Sequence, residues 1–120
     1  MTKILDIPQS IIAANGNTSL AKELFSMLLG DLELRFEQIK ESFSSNNIEL
    51  LAEHTHKLYG ATAYCIVPRL RKSTEVLEKD LRQNELSQLD TRVETVLQEI
   101  QNIINDGPGF IDKDWEDFQD

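Results

Sequence analysis

Apolar residues recur along this chain at intervals of three and four, the spacing that lines up side chains on one face of an α-helix. The longest run is Leu20, Leu24, Leu28, Leu32, Phe36, Ile39 and Phe43, and it predicts a helix over about residues 18–43. A short helix over about 8–14 precedes it, with Ile7, Ile11 and Ile12 as apolar positions and Pro8 suited to the first turn. Between the two, Asn15-Gly16-Asn17 breaks the chain, and Asn17 or Thr18 can cap the longer helix. A third helix is expected over about 47–65, burying Ile48, Leu51, Thr55, Leu58 and Thr62, with Asn46 and Glu49 spaced as a capping box. Pro68 opens a fourth over about 68–82, with Leu70, Thr74, Leu77 and Leu81 on one face. Asn84 is the expected cap of a fifth, where Leu86, Leu89, Val93, Val96, Ile100 and Ile103 alternate threes and fours until Gly107-Pro108-Gly109.

Short connections between these segments make neighbouring helices antiparallel. The expected fold is therefore all-α: an antiparallel up-down four-helix bundle with a short extra N-terminal helix, occupying residues 1–106. Residues 107–120 read as an acidic C-terminal tail, flexible by composition, in which Asp112, Asp114, Glu116, Asp117 and Asp120 surround Phe110, Trp115 and Phe118. The aromatic residues leave open a second reading, in which the strip folds back on the bundle or docks on a partner. Phe25, Met27 and Leu29 widen the stripe of the second helix beyond one seam; they either pack on the first helix or stay exposed for a partner.

Composition agrees with helices and narrows the function. Five Gly and three Pro in 120 residues leave little turn chemistry, and no run alternates as a strand would. A net charge of −9, from 21 acidic against 12 basic residues, repels phosphate backbones and anionic membrane surfaces, so neither nucleic acid nor a membrane is an expected partner. No apolar run approaches the roughly 20 residues that cross a bilayer, and the first residues lack the apolar core of a secretory signal. One cysteine, Cys65, forms no internal disulfide and suits a reducing compartment. The expected location is the cytoplasm.

Candidate chemistry lies on the third helix. At 100° per residue, His56 falls roughly 115° from the centre of the buried face, on the flank where solvent begins. Ala52, Gly60 and Ala63 fall within roughly 40° of it, so the imidazole stands among very small side chains. A solvated imidazole is a nucleophile through its free ring nitrogen, and small neighbours let a large donor approach in line. Gly60 costs about 1 kcal/mol of helix stability relative to Ala, which close approach of another protein would justify. Residue chemistry alone leaves open the alternative that His56 is an idle surface histidine. His54 points roughly 160° away from His56, so the two cannot share a metal ion; His54 reads as structural, and no metal site is expected.

The run His56-Lys57-Leu58-Tyr59-Gly60, followed by Val67-Pro68-Arg69, resembles the signature of histidine-containing phosphotransfer (HPt) domains, especially those at the C-terminus of hybrid sensor kinases of the BarA/GacS type. The resemblance covers about residues 4–104. It implies a four-helix bundle, His56 as phospho-acceptor and Gly60 as the residue that gives access. It also implies receiver domains as partners, docking on the first helix, the start of the second and the His56 face, for which Ile11, Ile12, Phe25 and Leu29 are the candidates. The sequence departs from the family where Tyr59 stands in place of a frequent Lys, leaving Lys57 to supply positive charge, and where Ile66 replaces a small residue; Ala63 keeps most of the space at another such position.

No glycine-rich phosphate loop and no paired nucleophile and base accompany His56. The expectation is thus a phosphocarrier without autonomous kinase activity and without a cofactor, monomeric as an isolated domain and acting with response-regulator receiver domains, either alone or as part of a hybrid sensor kinase. The competing reading is a plain helical adaptor whose fifth-helix heptads join separate chains.

Overall fold

The computed structural model describes residues 2–118; Met1, at the head of the expected domain, and Gln119 and Asp120, at the end of the expected tail, lie outside the described residues. Five helices follow one another: α1 (Ile7–Ala13), α2 (Thr18–Ser44), α3 (Ile48–Ala61), α4 (Pro68–Arg82) and α5 (Leu89–Ile111), with a final 3₁₀ turn at Trp115–Phe118. The four long helices pack in a ring, α2 on α3, α3 on α4, α4 on α5 and α5 back on α2, and α1 lies against α2. The up-down bundle with an added N-terminal helix is as expected, and no strand occurs among the described residues.

Asparagine sets several of the helix ends. The Oδ1 atoms of Asn17 and Asn47 accept the N–H groups of Leu20 and Leu50, each at 3.0 Å, and Asp6 does the same for Gln9 at the head of α1. Asn15, Asn46 and Asn84 adopt left-handed backbone angles, φ near 58°, 58° and 55°, which Asn tolerates better than other side-chain-bearing residues. After each, an N–H reaches back five positions: Gly16 to Ile11, Asn47 to Ser42 and Glu85 to Asp80, at 2.8–2.9 Å. Two expectations are corrected here. Asn46 closes α2 and leaves the capping of α3 to Asn47; Asn84 closes α4, so α5 begins only at Leu89 without a side-chain cap, and Leu86 lies outside it, exposed.

α3 also ends earlier than its pattern predicts. Thr62 donates its Oγ1 hydroxyl to the Tyr59 carbonyl at 2.6 Å, and the chain then extends so that Cys65 and Val67 enter the core. The freed backbone of Ile66 receives the N-terminal segment: its carbonyl accepts Asp6 N–H at 2.9 Å, and its N–H donates to Ser10 Oγ at 3.0 Å. Burial pushes the Cys65 thiol up to about 12, opposed by a hydrogen bond with Ser10, so the cysteine behaves as a core residue and not as a nucleophile.

α5 runs through Gly107-Pro108-Gly109, where the sequence predicts its end. Gly107 is buried against α2, and a Cβ there would stand 2.5 Å from Leu29 Cδ1; a glycine is what lets the two helices come this close. The residues beyond it are held by packing. Phe110 meets Phe25 edge-on with ring centres 6.2 Å apart, and Trp115 lies 6.0 Å from the same ring. Trp115 is fully buried and donates its Nε1–H to the Phe110 carbonyl at 3.0 Å, while Lys22 Nζ reaches the Lys113 carbonyl at 3.1 Å. The segment expected as a flexible tail therefore folds back over the described residues. The heptad face of α5, Val93, Val96, Ile100 and Ile103, is spent inside the bundle, which leaves it unavailable for joining chains.

Replacing Trp115 by Ala should cost about 3–5 kcal/mol of unfolding free energy, as removal of a fully buried aromatic does. Urea unfolding checks this; a loss under about 1 kcal/mol, the range of a surface change, would mean that the C-terminal segment does not seal the core.

Candidate functional site

Leu51, Thr55 and Leu58 are fully buried on α3, and Thr55 satisfies its hydroxyl by donating to the Leu51 carbonyl at 2.8 Å. That face fixes the rotation of the helix and turns His56 outward, its side chain 76% exposed. The ring is not free-standing. Nδ1 lies 3.3 Å from Oε2 of Glu78 on α4, and the other oxygen of that carboxylate, Oε1, accepts from Arg82 Nη2 at 2.7 Å. His56, Glu78, Arg82, Ala52 and Leu81 together line a shallow concavity of about 230 Å³. With the proton on Nδ1 donated to Glu78, the ring nitrogen left with its lone pair is Nε2.

Around this ring the sequence-derived candidates separate. Ala52 lies beside it, and at Gly60 an added Cβ would meet nothing within 4 Å, so the surface one turn beyond the imidazole is open. Ala63 follows the end of α3; its helical placement next to His56 is corrected, although it is exposed. Tyr59 is committed elsewhere: its hydroxyl accepts from Arg71 Nη2 at 3.0 Å, the guanidinium lies 4.5 Å from its ring centre, and Arg71 Nη1 also donates to Thr62 Oγ1. Lys57 pairs with Glu53 at 3.2 Å, one turn earlier on α3. It lines a different depression of about 540 Å³, together with Leu24, Met27, Leu28, Ala61 and Tyr64.

Of the docking candidates, Ile11 and Phe25 are buried in the core and are not available to a partner. Phe25 is covered by Phe110 and Trp115, the aromatic residues whose packing the sequence left open. Leu29 is half-buried against Gly107. Ile12 remains, 63% exposed, and Met27 and Tyr64 are equally open at 64% and 68%. Tyr64 escaped the sequence reading because α3 was expected to continue past it. Glu78 and Arg82 escaped because nothing in the pattern of α4 reports which α3 residue stands opposite. His54 is half-buried on another side of α3, its Nδ1 enclosed without a hydrogen-bond partner. Among the described residues no helix is long and apolar enough to cross a membrane.

Comparison with known proteins supplies an independent view of this arrangement. The family model described as Hpt domain matches residues 23–106. The chain is 36% identical over 81 residues, 68% of its length, to the sensor protein GacS of Pseudomonas syringae pv. syringae. It is 30% identical over 100 residues, 82% of its length, to the signal transduction histidine-protein kinase BarA of Escherichia coli (strain K12). These matches span only 9% and 11% of those relatives. Among solved structures, the HPT domain of a hybrid histidine kinase from Shewanella superposes with a TM-score of 0.83 at 27% identity, covering 90% of this chain and 93% of that one.

Glu78→Ala removes the acceptor facing Nδ1. In its neutral form the wild-type His56 ring should carry its proton on Nδ1, and the variant should shift toward the Nε2–H tautomer. Long-range nitrogen–proton correlation spectra read this directly; identical tautomers in both proteins would sink the assigned role of Glu78.

Proposed function

Since the chain belongs to the Hpt domain family, whose members are phosphocarriers of two-component relays, we propose that His56 is its phospho-acceptor. On this reading His56 takes a phosphoryl group from the aspartate of a receiver domain and passes it to another. The observation that carries the proposal is the position of the ring, outward on α3 with Nδ1 on Glu78 and the small residues Ala52 and Gly60 beside it. An imidazole so held presents one nucleophilic nitrogen in a defined direction. The receiver brings the aspartate, the metal and most of the groups that stabilise the transferring phosphoryl; this domain acts as substrate and carrier, with no kinase activity of its own. Its chain is a module of a hybrid sensor kinase or a partner of one, working at the cytoplasmic side as a monomer.

Receiver docking is assigned to the open surface beside the site. Met27 and Tyr64 stand over an apolar floor of Leu24, Leu28 and Ala61, with the charged Lys57, Asp31 and Arg35 at its edge, and Ile12 is the exposed position of α1. An apolar centre with a charged rim is the ordinary make-up of a specific, reversible interface.

His56→Gln should keep helicity and melting temperature near wild type, because the ring is exposed, and abolish labelling by a phosphorylated receiver domain; undiminished labelling of the variant would refute the assignment. Gly60→Arg should leave labelling by a small phosphodonor within about twofold while slowing transfer from a receiver by about tenfold or more, since an obstructed approach costs more than 1.4 kcal/mol. Stopped-time labelling with both donors distinguishes the two, and equal loss with each would argue against the access role of Gly60.

A further inference from the structure

A phosphorylated imidazole sets a dianionic group beside whatever charges surround it, and around His56 the nearest one is negative: the Glu78 carboxylate, 3.3 Å from Nδ1. A cation must offset it. Lys57, the neighbour in sequence, is held by Glu53 and belongs to the depression between α2 and α3. Arg71 is occupied by Tyr59 and Thr62. Arg82 is placed differently. It lines the same concavity as His56, reaching from the last residue of α4, and its side chain is 70% exposed, tethered by a single carboxylate oxygen one turn earlier. The Arg82 end of this i, i+4 pair lies mostly in solvent although the Glu78 carboxylate is largely covered, so the guanidinium can turn from Glu78 toward a stronger anion beside it.

We propose that Arg82 is the phosphoryl-binding residue of this site, delivering from α4 the positive charge that the sequence places at Lys57. The inference rests on His56 being the acceptor. In the transfer, the Nε2 lone pair attacks the phosphorus of an acyl phosphate; the N–P bond forms as the P–O bond to the aspartate breaks, and the electron pair leaves on the carboxylate. The ring, which keeps its Nδ1 proton, gains a positive charge that Glu78 faces, while the phosphoryl oxygens gain a guanidinium able to donate two parallel N–H bonds. Glu78 and Arg82 thereby divide between them the two charges that the reaction separates: the carboxylate serves the ring and the guanidinium serves the phosphoryl group. The reverse transfer, back to a receiver, runs through the same arrangement.

The test uses the full chain with phosphoramidate as donor, following phosphate on His56 by mass spectrometry during labelling and after removal of the donor. Arg82→Gln should slow labelling by about tenfold, less than the hundredfold or more of a buried donor, and shorten the lifetime of the phosphohistidine. Arg82→Lys should restore part of both, and Arg82→Glu should be slower than Arg82→Gln, a dependence on charge that a lost packing contact does not give. Lys57→Gln should lose much less than Arg82→Gln, since the Lys57 charge is paired with Glu53 and faces a different depression. Wild-type kinetics in Arg82→Gln, or a larger loss in Lys57→Gln, overturn the role of Arg82 while leaving His56 as acceptor. A wild-type chain labelled elsewhere than His56 overturns both.

Discussion

A helix in a bundle has one freedom that its hydrogen bonds do not remove, rotation about its own axis, and in α3 that freedom is taken away by Leu51, Thr55 and Leu58. Each leucine contributes about 1.5–3 kcal/mol through complete burial, and Thr55 enters the core without penalty because its hydroxyl is returned to the Leu51 carbonyl. Turning the helix by one residue, about 100°, would lift these side chains into water. The orientation of His56 is therefore a by-product of core packing on the opposite side of the helix. Its exposure needs no interaction of its own, which leaves the ring free for chemistry.

Much of this was legible in the chain. The threes and fours of α2 and the Pro68 start of α4 gave those elements to within a residue, because amphipathic spacing and proline geometry act locally. Asparagine was read less well. The same residue type caps a helix from the front through its side chain and closes one from behind through a left-handed backbone, so Asn46 and Asn84 could not be assigned from identity alone. Residues 62–67 broke the pattern of α3 for a tertiary reason: the backbone of Ile66 is needed by Asp6 and Ser10, residues more than fifty positions earlier. At the site, His56, Ala52 and Gly60 follow from rotation within one helix. Glu78 and Arg82 depend on the axial register of α4 against α3, which no periodicity in either helix encodes.

The two ends of the chain complete a core that the matched family segment, residues 23–106, does not finish. At one terminus α1 is tied to the α3–α4 connection; at the other, Phe110 and Trp115 close over Phe25 of α2. Packing here overrides composition. Pro108 and its flanking glycines disfavour a helix, yet α5 continues because the aromatic residues beyond them have a buried place to go. The acidic residues that suggested a tail occupy the outer side of that segment, with Asp112, Asp114, Glu116 and Asp117 all exposed.

The partner of the imidazole is borrowed from another helix, and this ties the ring to the relative position of two rods. An axial slide of α4 by one residue's rise, about 1.5 Å, is enough to stretch a 3.3 Å contact beyond bonding range. What opposes such a slide is the clamp two turns away, where Arg71 grips both Tyr59 and Thr62. The tyrosine thus serves as a gauge block: through Arg71 it ties α4 to α3, so a shear of the helix pair strains this clamp and the contact between carboxylate and ring together.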